Sequence, residues 1–208
     1  MKYPSPRNKA QETFLLALSK FDMVFATGPA GTGKTFLAAA HAAQEMFEKR
    51  CARIVVTRPL VQAGEDIGIL PGDIGEKTQP YMLPLYDAFR DVMGDAKLAN
   101  YLEIGRIEIA PLGFMRGRTL RDCIVILDEA QNCTYTQLLM ALTRLGEGGQ
   151  MIITGDLSQV DLPSHTPSGL AQVVGKLREI PGIGCVQFDA SHIVRHPLVS
   201  AVVKALSQ

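Results

Sequence analysis

Met23-Val24-Phe25-Ala26-Thr27-Gly28-Pro29-Ala30-Gly31-Thr32-Gly33-Lys34-Thr35-Phe36-Leu37-Ala38 is the stretch on which the reading of this chain turns. Met23 to Ala26 predicts a buried strand, and the alanine-rich run from Phe36 to Phe47 predicts a helix that can pack closely on a sheet. Between them, Gly28 to Thr35 spells G-x-x-x-x-G-K-[ST] in the strand-loop-helix setting that this motif requires. Glycine permits the unusual dihedrals that turn the N–H groups of Gly31, Gly33, Lys34 and Thr35 inward on phosphate oxygens, and the helix start adds its positive end. Lys34 supplies a point charge for the β- and γ-phosphates, and Thr35 a hydroxyl ligand for Mg²⁺. Gly28, Pro29, Ala30, Gly31, Thr32, Gly33, Lys34 and Thr35 are thus expected to hold ATP with magnesium, the alternative being a mere glycine turn.

The pattern of strand then helix repeats outward from this loop. Ser5-Pro6 predicts the start of a leading helix running to about Lys20, and strands are predicted at Ile54–Thr57, Ile107–Ala110, Cys123–Leu127, Met151–Thr154 and Val186–Phe188. Ile54–Thr57 is β-branched with little alternation, as a strand covered on both faces requires. Helices are predicted around Tyr81–Met93, Lys97–Leu102, Tyr135–Leu145 and Pro197–Leu206; the first two look like an insertion in the alternation. Arg58 to Lys77 reads as a long loop rich in glycine and acids. The expected fold is α/β, a mostly parallel central sheet with helices on both faces, in one domain over residues 1–208.

Asp128 and Glu129 follow the most apolar strand, so their carboxylates fall where strand ends of an open α/β sheet meet a ligand. Asp128 is assigned to the magnesium shell, and Glu129 to orienting and deprotonating the water that attacks the γ-phosphate. A plain helix N-cap is the alternative for this acid pair. Gln159 closes the next strand on the same edge, where its amide can reach a γ-phosphate oxygen or the water; otherwise it is a solvent-facing loop residue. Arg195 is a candidate arginine finger, or a surface ion pair.

Composition narrows the field. Of 208 residues 47% are apolar and 20% charged, with 21 acids against 21 bases, which excludes disorder and does not indicate a strong general attraction to nucleic acid. The four cysteines lie far apart without metal-ligand spacing and are expected as reduced, mostly buried thiols. The first residues lack a signal-peptide core, and no apolar run approaches the ~20 residues of a membrane span, so a cytoplasmic protein without a membrane partner is expected.

Read in order, Thr57-Arg58-Pro59, Ala63-Gly64-Glu65-Asp66, Leu70-Pro71-Gly72-Asp73, Arg116-Gly117-Arg118-Thr119-Leu120, Leu127-Asp128-Glu129-Ala130-Gln131-Asn132, Leu142-Thr143-Arg144, Gly155-Asp156-Leu157-Ser158-Gln159-Val160-Asp161-Leu162-Pro163 and Val194-Arg195-His196-Pro197-Leu198-Val199 resemble the PhoH-like ATPase family over nearly the whole chain. The core of that family is RecA-like and similar to the first motor domain of superfamily one helicases. The resemblance implies an adenine-reading role for Gln11, and a nucleic-acid path near Arg58 with Arg116 and Arg118 as further candidates, ordinary ion pairing being the alternative. Many relatives carry an RNA-binding or ribonuclease domain before this core. Only about 20 residues precede the first strand here, so nuclease activity and RNA sequence choice are not carried over. His192 stands where the family is often acidic and receives no role.

The expected activity is ATP hydrolysis, acting on or regulated by RNA or single-stranded DNA. A nucleotide-switched binding module with slow hydrolysis, and a small-molecule kinase, are the competing readings. Helicases of this type place ATP between two motor domains, and this chain has room for one. A homohexameric ring, in which a neighbour supplies Arg195, is therefore expected.

Overall fold

The computed structural model describes residues 5–60 and 74–194 with Leu198 and Val202, residues 74–79 by their backbone alone. In chain order the elements are α1 (Lys9–Lys20), β1 (Met23–Thr27), α2 (Lys34–Phe47), β2 (Arg53–Arg58), α3 (Ile74–Met93), α4 (Asp95–Glu103), β3 (Ile107–Pro111), β4 (Cys123–Leu127), α5 (Tyr135–Leu142), β5 (Gln150–Gly155), α6 (Leu170–Leu177) and β6 (Ile183–Gln187). The six strands form one parallel sheet in the order β3-β2-β4-β5-β1-β6. Because every strand points the same way, the residues that follow β1, β4 and β5 emerge on one edge.

Alternation along the strands divides the core into two layers. Val24, Ile54, Val56, Ile124, Ile126 and Ile152 face α1 to α4, whereas Phe25, Val55, Val125, Met151 and Ile153 face α5 and α6. Each such side chain, fully buried, contributes about 1.5–3 kcal/mol. Ala38, Ala39, Ala42 and Ala43 of α2 are buried as well, and their small volume lets the helix lie close on the sheet. The fold is that of a RecA-like P-loop NTPase, as the family resemblance implies.

The boundaries differ in places. Helix α1 starts at Lys9 rather than near Pro6, because the Asn8 side chain accepts from Gln11 N–H and caps it there. Helix α3 begins at Ile74, so the loop predicted to Lys77 ends earlier; its residues 61–73 lie outside the described part of the chain. Helices α3 and α4 are no insertion: they form the crossover from β2 to the edge strand β3. Strand β6 begins at Ile183, its register set by pairing with Met23 rather than by its own weak pattern. Helix α6 is absent from the sequence expectations, although Leu170, Val173, Val174 and Leu177 mark its inner face at i, i+3, i+4 and i+7. Helix α5 ends at Leu142, three residues short of the expected end. The helix predicted at Pro197–Leu206 lies outside the described residues apart from Leu198 and Val202. Cys51, Cys123 and Cys133 are buried, and burial pushes the Cys133 thiol up to about 12, but Cys185 is exposed on the edge strand.

Candidate active site

The loop between β1 and α2 turns through three glycines with positive φ, Gly28 at 139°, Gly31 at 79° and Gly33 at 86°. Gly28 also leaves no space for a side chain, because a Cβ there would lie 2.2 Å from the Phe188 carbonyl oxygen. Helix α2 starts at Lys34, so the N–H groups of its first turn open toward the loop. The Lys34 ammonium donates to the Gly28 and Pro29 carbonyls at 2.7 and 2.8 Å, and to the Thr32 hydroxyl at 3.3 Å. A pocket of about 250 Å³ lies over this loop, and its walls bring Lys34, Thr35, Asp128, Glu129, Asp156 and Gln159 together. A larger open groove of about 770 Å³, lined by His41, Glu45 and Arg50, sits at the amino ends of the strands and holds none of these residues.

Asp128, buried just after β4, accepts from the Thr35 hydroxyl at 2.8 Å and from the Thr154 hydroxyl at 2.5 Å. Thr35 and Asp128 thus present two hard oxygen donors side by side, a set suited to Mg²⁺, which takes its other ligands from phosphate and water. Thr154, near the end of β5, orients Asp128; in the sequence it is marked only by its place at the end of a predicted strand.

Glu129 has a left-handed backbone, φ 53° and ψ 40°, which swings its carboxylate away from the line of β4. One carboxylate oxygen accepts from Arg58 at 2.8 Å, and the other from the Gln131 amide at 2.5 Å. Arg58 also donates to the Tyr81 carbonyl of α3 at 3.0 Å, so this nucleic-acid candidate lies beside the hydrolytic one.

Asp156 is the member of the pocket that sequence reading did not assign. Its carboxylate accepts from Ala30 N–H at 2.9 Å and from the Ser158 N–H and hydroxyl at 3.0 and 2.6 Å. Burial pushes this carboxyl up, but the Ser158 and Ala30 hydrogen bonds and the Lys34 charge outweigh it and hold Asp156 below the usual carboxylate range. The only hint in the sequence was an acid closing the strand before Gln159. That Gln159 side chain is exposed at the pocket rim, and its carbonyl accepts from Gln131 at 3.2 Å.

Gln11 is buried behind the loop, its amide donating to the Thr32 carbonyl at 3.0 Å and accepting from Arg7 N–H at 2.8 Å. Both ends of that amide therefore touch backbone. Arg118 makes a two-pronged pair with Glu108 at 2.6 and 2.8 Å, whose hydrogen bond holds the Glu108 carboxyl down, and Arg116 is exposed in the following turn. Arg195 lies outside the described residues. Val194, just before it, donates its N–H to the Gly31 carbonyl of the phosphate loop at 2.8 Å. Among the described residues no helix is long and apolar enough to cross a membrane.

Residues 4–207 match the PhoH-like protein family. A PhoH-like protein of Bacillus subtilis (strain 168) is 50% identical over 199 residues, covering 96% of this chain and 62% of its own. One from Synechocystis sp. is 48% identical over 195 residues, covering 94% and 60%. The chain spans about three fifths of the length of these relatives. Among solved structures, the large terminase of a thermophilic bacteriophage superposes with a TM-score of 0.59 at 12% identity, over 96% of this chain and 50% of that one. A crystal form of the same terminase in complex with ADP gives 0.57 at 12% identity, over 94% and 49%. These structural likenesses show the shared fold.

Proposed function

The chain belongs to the PhoH-like protein family, and we propose that it binds ATP with magnesium and hydrolyses it to ADP and phosphate at the pocket over Gly28–Thr35. The observation that carries this reading is the meeting of Thr35, Asp128 and Thr154 at 2.8 and 2.5 Å beside Lys34 and Glu129. A phosphate-binding loop alone would serve a kinase equally well. A buried carboxylate bonded to the loop hydroxyl, with a second carboxylate one residue on, favours transfer to water.

The loop N–H groups and Lys34 hold the β- and γ-phosphates, while Thr35 and Asp128 would hold Mg²⁺, which would supply charge neutralisation at the phosphate oxygens. Glu129 orients a water and takes its proton as the water oxygen bonds to the γ-phosphorus and the bond to the β-bridging oxygen breaks. Gln159 reports on the γ-phosphate from the rim, and Gln11 reaches adenine by exchanging one of its backbone bonds for the base edge.

RNA or single-stranded DNA is the proposed macromolecular ligand, with Arg58, Arg116 and Arg118 toward its backbone. The Arg58–Glu129 pair supports this coupling, since a phosphate drawing on Arg58 would free the carboxylate. ATP turnover with and without single-stranded RNA or DNA is expected to rise at least about threefold with one of them, and a salt dependence should accompany it. No stimulation by either would favour the nucleotide-switched binding module, for which an engaged Glu129 gives slow basal turnover.

A homohexameric ring is proposed from the likeness to one helicase motor domain, whose nucleotide site a second domain completes, with Arg195 assigned to the neighbouring protomer. Light scattering should give a mass near six chains with ATP and magnesium. Monomer with and without them would overturn the ring.

A further inference from the structure

Glu129 and the loop from Asp156 to Gln159 come from different strands, yet a single side chain joins them. Gln131, fully buried in the short 3-10 turn Ala130–Asn132, uses both ends of its amide on pieces of the pocket. Its nitrogen donates to the Glu129 carboxylate at 2.5 Å and to the Gln159 carbonyl at 3.2 Å, and its oxygen accepts from Asp156 N–H at 2.9 Å. This orientation is the satisfied one, because the carboxylate and carbonyl can only accept and the N–H can only donate. Gly155 makes room for it: a Cβ there would lie 3.1 Å from the Gln131 oxygen.

A second amide strengthens the joint. Asn132 donates to the Asp161 carboxylate at 3.1 Å and accepts from Asp161 N–H at 2.8 Å, so the turn and the 156–161 loop are fastened at both ends. Asp156 in turn grips Ala30 of the phosphate loop. A continuous path of hydrogen bonds therefore runs from the phosphate loop through Asp156 and Gln131 to Glu129, with Arg58 holding the other side of that carboxylate.

We infer that Gln131 is a positioning residue of the hydrolytic site, setting the Glu129 carboxylate in register with the loop that carries Asp156 and Gln159. The inference rests on Glu129 acting on the attacking water. Gln131 itself acts through Glu129 and has no assigned contact with nucleotide.

The test is a double-mutant cycle in the full chain, with single-turnover ATP hydrolysis and ATP-analogue binding measured separately. Gln131→Met is expected to lower kcat about 10- to 100-fold while nucleotide Kd changes less than about threefold, and to add less than about threefold to the loss caused by Glu129→Gln. Wild-type kcat in Gln131→Met beside an impaired Glu129→Gln would overturn the inference alone, as would an equal fold-loss in both backgrounds. Wild-type turnover by Glu129→Gln would remove the assignment of Glu129 and this inference with it.

Gln131→Glu decides the matter if the methionine variant does not fold, since it keeps size and the acceptor for Asp156 N–H. It removes the donor to the Glu129 carboxylate and to the Gln159 carbonyl while leaving that acceptor in place. Its kcat is expected to fall about 10- to 100-fold with nucleotide Kd within about threefold of wild type. Wild-type kcat in a folded Gln131→Glu would overturn the positioning role.

Discussion

Lys34→Ala is expected to reduce ATP turnover by about 100- to 1,000-fold, the range found when one preorganised donor to developing charge is removed. The Lys34 ammonium is held at the centre of the loop by the Gly28 and Pro29 carbonyls at 2.7 and 2.8 Å. Those carbonyls are neutral, so the amine can exchange them for phosphate oxygens, which carry charge and bind an ammonium about twice as strongly. The loss falls on binding as well as rate, because ground-state phosphates carry charge too, so Kd for ATP should weaken along with kcat. The fold should survive: the β1–α2 packing rests on Val24, Ala26, Leu37 and the α2 alanines, and the loop shape on its glycines. Lys34→Arg should fail similarly, since a planar guanidinium does not fit where a compact ammonium sits within 2.8 Å of two carbonyls. Thermal melts establish folding, and stopped-time phosphate release gives turnover; hydrolysis by Lys34→Ala at the wild-type rate would show that the site lies elsewhere.

How much of this was legible in the sequence depends on how local each signal is. The loop from Gly28 to Thr35 and the wholly buried run Cys123–Leu127 with Asp128 and Glu129 after it are contiguous in the chain, so period and composition expose them directly. Thr35 and Asp128 are each assigned to magnesium from sequence, but their hydrogen bond across 93 positions is a contact that chain order does not state. Asp156 and Gln131 were out of reach because their meaning comes from strand order. Strand β5 lies between β4 and β1, which puts Asp156 against Ala30 and Gln131 against Asp156, and nothing in the chain order states that arrangement. Helix α6 and the start of β6 were missed for a plainer reason. Leu170, Val173, Val174 and Leu177 carry helical spacing over eight residues only, shorter than the stretch that periodicity needs, and the edge strand exposes alternate residues. For Arg118, sequence left phosphate contact and ion pairing open, and the geometry displays the pair with Glu108.

Glu129→Gln should separate chemistry from binding. Substitution by the isosteric amide keeps length and leaves the Thr35–Asp128 pair untouched, so nucleotide Kd is expected to stay within about threefold, while kcat falls about 100- to 1,000-fold, as for loss of a general base. Stability should change little. The Arg58–Glu129 pair has side chains 20% and 33% exposed, a setting in which solvent screening leaves such a pair worth about 1 kcal/mol or less. The amide can moreover turn its oxygen toward Arg58 or toward Gln131, though not satisfy both as the carboxylate does. Binding of a fluorescent ATP analogue alongside single-turnover hydrolysis reads the two quantities independently. A variant that loses affinity and rate in equal measure would place Glu129 among the groups that hold nucleotide, whereas tight binding with arrested turnover is the outcome required of a carboxylate whose work begins when the water is deprotonated.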